Sequence, residues 1–271
     1  MQANSVRNNN IFNSFRNNIQ NNIQSASRRL ASGRRINSAA DDAAGLAIAQ
    51  RLEAQIRGLN QGTRNALDFD SALITAEGGL STVTDSLIRI RELAIQAGSD
   101  VLNNSNRALL QAEIDQHLAQ IDSTGRDLQF NTRPLLDGSF VNMNVQVGAN
   151  AGQMIGTSID EISAVALGID NFSVMGGPQN IDLAAIDNAI GMVVSNRGSI
   201  GATQNRIEHI VNNNTTASIN MSAARSRIED ADMALEMMRL HQARILEQMQ
   251  IFNARNQQER TRANLRFVGI M

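Results

Sequence analysis

The chain of 271 residues contains no cysteine, tryptophan or tyrosine, and aromatic residues make up only 3% of it. Without cysteine, disulfides and thiolate catalysis are excluded. A compact globular core of this size normally uses more aromatic bulk, so aliphatic side chains, Met and Ala must fill the interior, as in packed long helices. Only two prolines, Pro134 and Pro178, are present. Because proline interrupts helices, this scarcity leaves room for very long ones.

Strong net charge and long apolar runs are also missing. The formal net charge is −2, so charge predicts neither a nucleic-acid partner nor a membrane partner. No apolar run reaches the length of a membrane span, and the N-terminal sequence MQANSVRNNN lacks the apolar region of a secretory signal peptide. Composition alone therefore predicts a cytosolic protein.

Motifs for catalysis or metal binding are absent from the sequence. His117, His209 and His241 are isolated from one another, and no zinc-protease, phosphate-loop or nucleophile-elbow motif occurs. The carboxylates at 41–42 and 229–232 are more typical of helix caps and arginine pairs than of an acid–base pair. We therefore predict no enzymatic activity, no metal site and no cofactor.

A heptad pattern extends from about Asp41 to Ala97. Apolar residues recur every seven positions, and a second set follows three residues after the later members. The first set is Leu52, Leu59, Ala66, Leu73, Leu80, Leu87 and Ala94, and the second is Phe69, Ala76, Val83, Ile90 and Ala97. Such a seam predicts a long coiled-coil helix. Gly78-Gly79 interrupts it, as either a hinge or a place of close helix approach.

Other segments complete a mainly α fold. A helix at about 105–125 follows a short connection and should fold back antiparallel, and heptads return from about Asn180 to Arg225 and from Ile228 to Phe252. Between them, Phe140 to Val147 alternates apolar and polar residues, which predicts a strand. The sequence thus predicts a long antiparallel helical coiled-coil bundle with a small β-hairpin region at 139–177.

Two motifs near opposite ends of the chain are unusually specific. The first is RLASGRRINSAADDAAGLAIA, residues 29–49, in which Ser38 and Asp41 have capping-box spacing and predict a helix start. The second is ARSRIEDADMALE, residues 224–236. Their sequence and order resemble the terminal signatures of bacterial flagellins.

The resemblance implies a structural subunit that polymerises into the flagellar filament for motility. It implies terminal helices at 1–38 and 230–271 that line the filament channel, a helical core at 39–138 and 178–229, and no outer variable domains. It also implies export to the outside of the cell without a cleaved signal. A hook–filament junction protein and a secreted coiled-coil adhesin remain as alternatives.

The resemblance further implies partners and sites. Besides copies of itself, the expected partners are an export chaperone, the cap and hook-junction proteins, and host Toll-like receptor 5. The receptor contact matches Arg89, Leu93 and Glu113, although packing between subunits is an alternative use of that surface. Apolar stripes on the terminal helices form the expected assembly face: Phe12, Phe15, Ile19, Ile23, Leu30, Leu235, Met238, Ile245, Met249 and Phe252.

Overall fold

The computed structural model describes the backbone of residues 2–268 and the side chains of residues 13–177 and 179–260. Helices make up most of this part of the chain, which confirms the predicted mainly α fold. The helices are α1 (Gln2–Ser32), α2 (Ala43–Ala97), α3 (Asn104–Asp127), α4 (Leu183–Glu229) and α5 (Met233–Val268), with a short 3₁₀ turn at Pro178–Asn180. Two antiparallel hairpins are formed by β1 (Gln129–Phe130) with β2 (Arg133–Pro134), and by β3 (Met143–Gln146) with β4 (Met154–Thr157).

The chain divides into two compact units. The terminal unit contains residues up to Ala54 and from Asn220 onward, and the central unit contains Gln55–Ile219. The large hydrophobic core belongs to the central unit and combines side chains from α2, α3, α4 and the segment that carries the hairpins.

The predicted heptad seam of α2 forms this core. Leu73, Leu80 and Leu87 are fully buried, as are most of the residues three positions later in each heptad. Helix α4 runs antiparallel to α2, because Arg91 and Glu77 of α2 pair with Asp187 and Arg197 of α4, in reverse order along the chain. Helix α3 also runs antiparallel to α2, since Ala97 is bonded by Arg107 of α3 whereas the earlier Arg89 pairs with the later Glu113. The period of 3.5 residues in the sequence therefore identified the face on which the central unit is built.

A buried arginine closes the end of α2. Arg107, in the first turns of α3, donates from Nε to the carbonyl of Ala97 at 3.2 Å and from Nη2 to the carbonyl of Ser99 at 3.1 Å. These carbonyls lie where a helix runs out of internal donors, so the guanidinium satisfies them and ties α3 back against α2. As an isolated basic residue, Arg107 could not be assigned this role from the sequence.

The larger hairpin rests on α2 through small and amide side chains. A Cβ added to Gly62 would overlap the carbonyl group of Val147, so the strand end approaches the helix backbone directly. Asn65 of α2 donates to the carbonyl of Gln146 at 3.0 Å, and Asn214 of α4 adds a second contact by donating to that of Val147 at 2.7 Å. The predicted hairpin is confirmed, with a shorter first strand than the alternation suggested.

The glycines of the long helices fall into two groups. A Cβ on Gly79 would lie 2.5 Å from the Leu128 side chain, so Gly79 serves the close approach that was one of the two sequence interpretations. Around Gly78, Gly191 and Gly198, in contrast, an added Cβ meets nothing within 4 Å. Each such glycine costs a helix about 1 kcal/mol relative to alanine, and packing within the chain does not explain it.

Two predicted helix ends are wrong. The motif at 29–49 begins α2 at Ala43, not at Ser38, because the Asp41 carboxylate accepts the N–H groups of Asn37 and Ser38 and holds a turn there. Asp42 is the actual cap and accepts the N–H of Gly45 at 2.8 Å. The second error concerns α3, which continues beyond Gly125 to Asp127. Gly125 does not end the helix, and its missing side chain makes room for the backbone of another segment.

Candidate functional site

The two signature motifs meet within the terminal unit. The link between α1 and α2 lies beside the link between α4 and α5, and Arg34 forms an antiparallel β-bridge with Asp230. The N–H of Arg35 donates to the carbonyl of Glu229 at 2.7 Å, and the N–H of Ala231 donates to the carbonyl of Gly33 at 2.9 Å. Residues nearly 200 positions apart are therefore joined by backbone hydrogen bonds, and we call this contact the signature junction.

Charges and close packing reinforce the signature junction. The buried Glu229 carboxylate lies 2.9 Å from the Arg34 guanidinium, and Arg225 pairs with Glu53 on α2. The side chain of Ile36 is buried, and a Cβ on Gly45 would lie 2.8 Å from its Cδ1, which explains a glycine in the first helical turn. Capping and arginine pairing were the predicted roles of the carboxylate clusters, and the geometry confirms them.

Asp232 and Asp41 complete the local order at the signature junction. Asp232 caps α5 by accepting the N–H groups of Ala234 and Leu235 at 3.0 and 3.1 Å. Backbone N–H donation from Asn37, then from Ser38, lowers the pKa of the Asp41 carboxyl. Both short links are thus fixed by side-chain hydrogen bonds as well as by the bridge between them.

Helices α1 and α5 pack antiparallel in the terminal unit through a narrow seam. Arg29, near the end of α1, donates to Glu236, near the start of α5, at 3.4 Å. The buried apolar residues of this contact are Ile19 and Ala26 on α1, and Leu240 and Ala243 on α5. The inner face of α5 cannot be recognised from the sequence, although its members are spaced four and three residues apart, because a stronger apolar stripe lies on the opposite face.

Buried polar groups interrupt this seam. Glu236 is almost completely buried and pairs with Arg239 at 2.7 Å as well as with Arg29. Gln250 is only 8% exposed, and neither its amide nitrogen nor its amide oxygen has a hydrogen-bond partner within the described residues. An unpartnered buried amide costs about 1–3 kcal/mol, so Gln250 weakens the α1–α5 contact.

The structure places the residues of the predicted assembly face in different environments. Ile19 is buried in the seam, Ile23 and Leu30 are half-buried, and Phe15 is exposed, while the side chain of Phe12 lies outside the described residues. All members on α5 are 40 to 62% exposed and lie opposite the seam: Leu235, Met238, Ile245, Met249 and Phe252. The stripes on the two terminal helices therefore do not face each other as a single seam.

The predicted receptor contact is also divided. Nη2 of Arg89 lies 2.7 Å from the Glu113 carboxylate, and the same guanidinium lies 3.1 Å from Glu92. The hydrogen bonds with Glu113 raise the pKa of Arg89 most, followed by that with Glu92. Leu93 is only 1% exposed, so it lies in the core beneath this charged cluster.

The described residues contain no group of three or more His, Cys, Asp or Glu side chains that could hold a metal ion. Among the helices described here, none is both long and apolar enough to cross a membrane. The described residues instead present long exposed helix faces.

Comparison with known proteins decides the family. The family model for the bacterial flagellin N-terminal helical region matches residues 4–141, and that for the C-terminal helical region matches residues 183–260. The chain belongs to the bacterial flagellin family. It is therefore a structural subunit that assembles with copies of itself into the flagellar filament. The unmatched stretch between the two models includes β3 and β4.

Curated relatives agree with this assignment. A flagellin of Halalkalibacterium halodurans is 42% identical over 83% of this chain and 84% of its own. A flagellin of Bacillus subtilis is 37% identical over 81% of this chain and 84% of its own, and flagellin FlaB2 of Treponema pallidum is 37% identical over 85% of both. These relatives favour neither the junction protein nor the adhesin that the sequence left open.

Solved structures agree at the level of the fold. The crystal structure of Bacillus cereus flagellin is 25% identical, with a TM-score of 0.50 over 60% of this chain and 94% of its own. A flagellar hook-associated protein from Vibrio parahaemolyticus has a TM-score of 0.59 at 17% identity, over 70% of this chain and 100% of its own. The latter likeness concerns the fold alone.

Proposed function

We propose that this flagellin polymerises mainly through its terminal helices, with residues 1–38 and 230–271 lining the channel of the filament and 39–138 and 178–229 forming the helical core around them. The observation that carries the proposal is the apolar outer face of α5, whose five large side chains are 40 to 62% exposed. A contiguous apolar surface of this kind is typical of an interaction site.

The different composition of the two faces of α5 supports this assignment. Among the described side chains, the face of α5 toward α1 contributes Leu240 and Ala243 as buried apolar residues and carries the buried Glu236 and Gln250. The outer face holds two methionines, a leucine, an isoleucine and a phenylalanine. Completing the burial of these half-exposed side chains contributes about 1 kcal/mol each, or about 5 kcal/mol per subunit. Association with other subunits thus offers α5 more stabilisation than its contact with α1.

The direct test replaces part of the outer face of α5. In a variant with Ile245→Gln and Met249→Gln, we expect the critical concentration for polymerisation to rise by about tenfold or more, since about 2 kcal/mol of burial is lost. The monomer should keep its melting temperature because both residues are exposed. Gln248→Ala, at an exposed residue between them, is the matched control. An unchanged critical concentration in the double variant would exclude this face from assembly.

We further propose that Toll-like receptor 5 binds the charged cluster at Arg89 and Glu113, with Leu93 supporting the helix from below. The guanidinium and the carboxylate are held by each other at 2.7 Å, so the surface is ordered before binding. Arg89→Ala should reduce receptor activation by monomeric protein by about tenfold or more. Arg91→Ala, which removes the similar pair with Asp187, is the control. Equal activation by both variants would place the receptor elsewhere.

The remaining part of the proposal concerns export and accessory partners. We propose that the chain is secreted to the cell surface and engages an export chaperone, the filament cap and the hook-junction proteins. The membership in the flagellin family supports these partners. Expression in a bacterial strain that lacks its own flagellin provides the test. Filaments outside the cell that contain this chain are expected, whereas full-length protein retained inside the cell would contradict secretion.

A further inference from the structure

The outer face of α2 in the central unit carries a second apolar ridge. Leu67, Ile74, Ile88 and Ile95 recur at multiples of seven residues, with Ser81 in the vacant place, and they are 45 to 56% exposed. They lie on the side of the helix opposite to the buried heptad seam. We call these four apolar residues the α2 ridge. Their exposure leaves them without cover from their own unit.

The outer face of α4 has the complementary character. Gly191, Ser195, Gly198 and Ala202 occupy successive turns on the side away from the core, and all four are exposed. We call these four residues the α4 groove. The two glycines have open space where a Cβ would stand, so the monomer gains nothing from them and loses helix stability. A helix that keeps small residues on its exposed face admits another helix at close range.

The two faces cannot meet within one chain. Both point away from the core that α2 and α4 share, so the α2 ridge can reach an α4 groove only on a second copy. Charge fits as well: Asp85 lies on the outer face of α2, Arg206 lies beside the α4 groove, and both are exposed. None of the ion pairs among the described residues involves Asp85 or Arg206.

We propose that the α2 ridge of one subunit packs into the α4 groove of a neighbouring subunit in the filament. The inference rests on the proposed function, because it assigns surfaces to the contact between copies of this chain. Large side chains then fill the spaces above Gly191 and Gly198, and Asp85 and Arg206 come to the same interface. The two contacting surfaces differ, so each subunit offers one of each and the contact continues through the polymer without closing.

Cysteine cross-linking tests this pairing directly, because the chain has no cysteine of its own. Ile74→Cys is combined in turn with Gly191→Cys, Gly198→Cys or Ala202→Cys, and filaments are oxidised and then denatured. At least one combination should give a ladder of covalent multimers, since each subunit links to two different neighbours. The single variants give dimers at most. Ile74→Cys with Ala119→Cys, on the exposed face of α3, is the control pair.

The outcomes separate this inference from the proposed function. Failure of the wild-type chain to form filaments would contradict the proposed function itself. Filaments in which no combination cross-links beyond the control pair would overturn the pairing of the α2 ridge with the α4 groove while leaving the filament subunit in place. A ladder from one combination also identifies how far neighbouring subunits are displaced along their helices.

A steric variant gives independent evidence. Gly198→Gln adds a side chain where the monomer has open space, so the monomer should melt at the same or a higher temperature. The critical concentration for polymerisation should rise by about tenfold or more, because the added side chain occupies the groove. Ser199→Gln, an exposed neighbour outside the groove, is the matched control. Equal polymerisation of both variants would contradict the proposal.

Discussion

The heptad seam of α2 makes a quantitative prediction at Leu80. This side chain is fully buried in the core of the central unit. Replacing it with alanine removes three carbon atoms, which at about 0.8 kcal/mol each corresponds to about 2.4 kcal/mol of lost transfer free energy. The cavity that remains adds to this, so Leu80→Ala should lower the free energy of unfolding by about 3–5 kcal/mol.

Leu67 supplies the matched control for this measurement. It lies in the same helix and undergoes the same chemical change, but its side chain is 49% exposed on the α2 ridge. Any difference in helix propensity between leucine and alanine cancels, and Leu67→Ala should cost less than about 1 kcal/mol. Urea unfolding of the two monomeric variants, followed by circular dichroism, gives both values. Equal losses, or a negligible loss for Leu80→Ala, would refute the assignment of the seam to the core.

Three further predictions concern single positions. Gly125→Ala should destabilise the monomer by about 1–3 kcal/mol, because its Cβ would overlap a backbone carbonyl; Gly191→Ala, in open space, should stabilise it, and melting temperatures compare the two. Thr132 has a φ of 65° in the two-residue turn between β1 and β2. Thr132→Gly should therefore raise the free energy of unfolding by about 1 kcal/mol, and a lower melting temperature would contradict this. N–H donation from residues 37 and 38 lowers the pKa of Asp41, so the stabilisation by the ionised carboxylate is complete above the ordinary pKa of 3.8 and is lost as the pH falls through the folded-state pKa. The difference in unfolding free energy between wild type and Asp41→Ala should therefore shrink from pH 7 to about pH 2. An unchanged difference would be evidence against this role of Asp41.

The sequence predicted the long helices well because their signal is redundant. Each turn of α2 repeats the same apolar spacing, so no single residue decides the assignment. The start of the helix was missed because Asp41 forms hydrogen bonds with preceding backbone N–H groups, a local alternative that the capping-box spacing of Ser38 does not distinguish. The β1–β2 hairpin was missed because strands of two residues have no detectable alternation.

The surfaces were harder to predict than the helices, and α5 shows why. Its most apolar stripe contains Met238, Ile245 and Met249, yet these residues are exposed, whereas the less apolar stripe with Leu240 and Ala243 faces α1. Hydrophobicity predicts that a face is buried in the functional assembly, not which partner buries it. The same reasoning applies to α2. Its two heptad sets predicted the buried seam, whereas the isoleucines of the α2 ridge were not predicted to form a surface.

The signature junction explains why two motifs near opposite termini occur together. Residues of the first motif supply Arg34, Ile36 and Gly45, and those of the second supply Glu229 and Asp230. The backbone bridge joins the link between α1 and α2 to the link between α4 and α5. Each motif alone would leave buried polar groups without partners, so the two are physically dependent.

Electron microscopy of the purified wild-type chain tests the central claim most directly. The protein is brought to high concentration with a precipitating salt such as ammonium sulfate and imaged in negative stain. A subunit that assembles through heterologous contacts should form long, uniform, thin filaments with little surface projection. Closed particles, or monomers under every condition, would contradict the account.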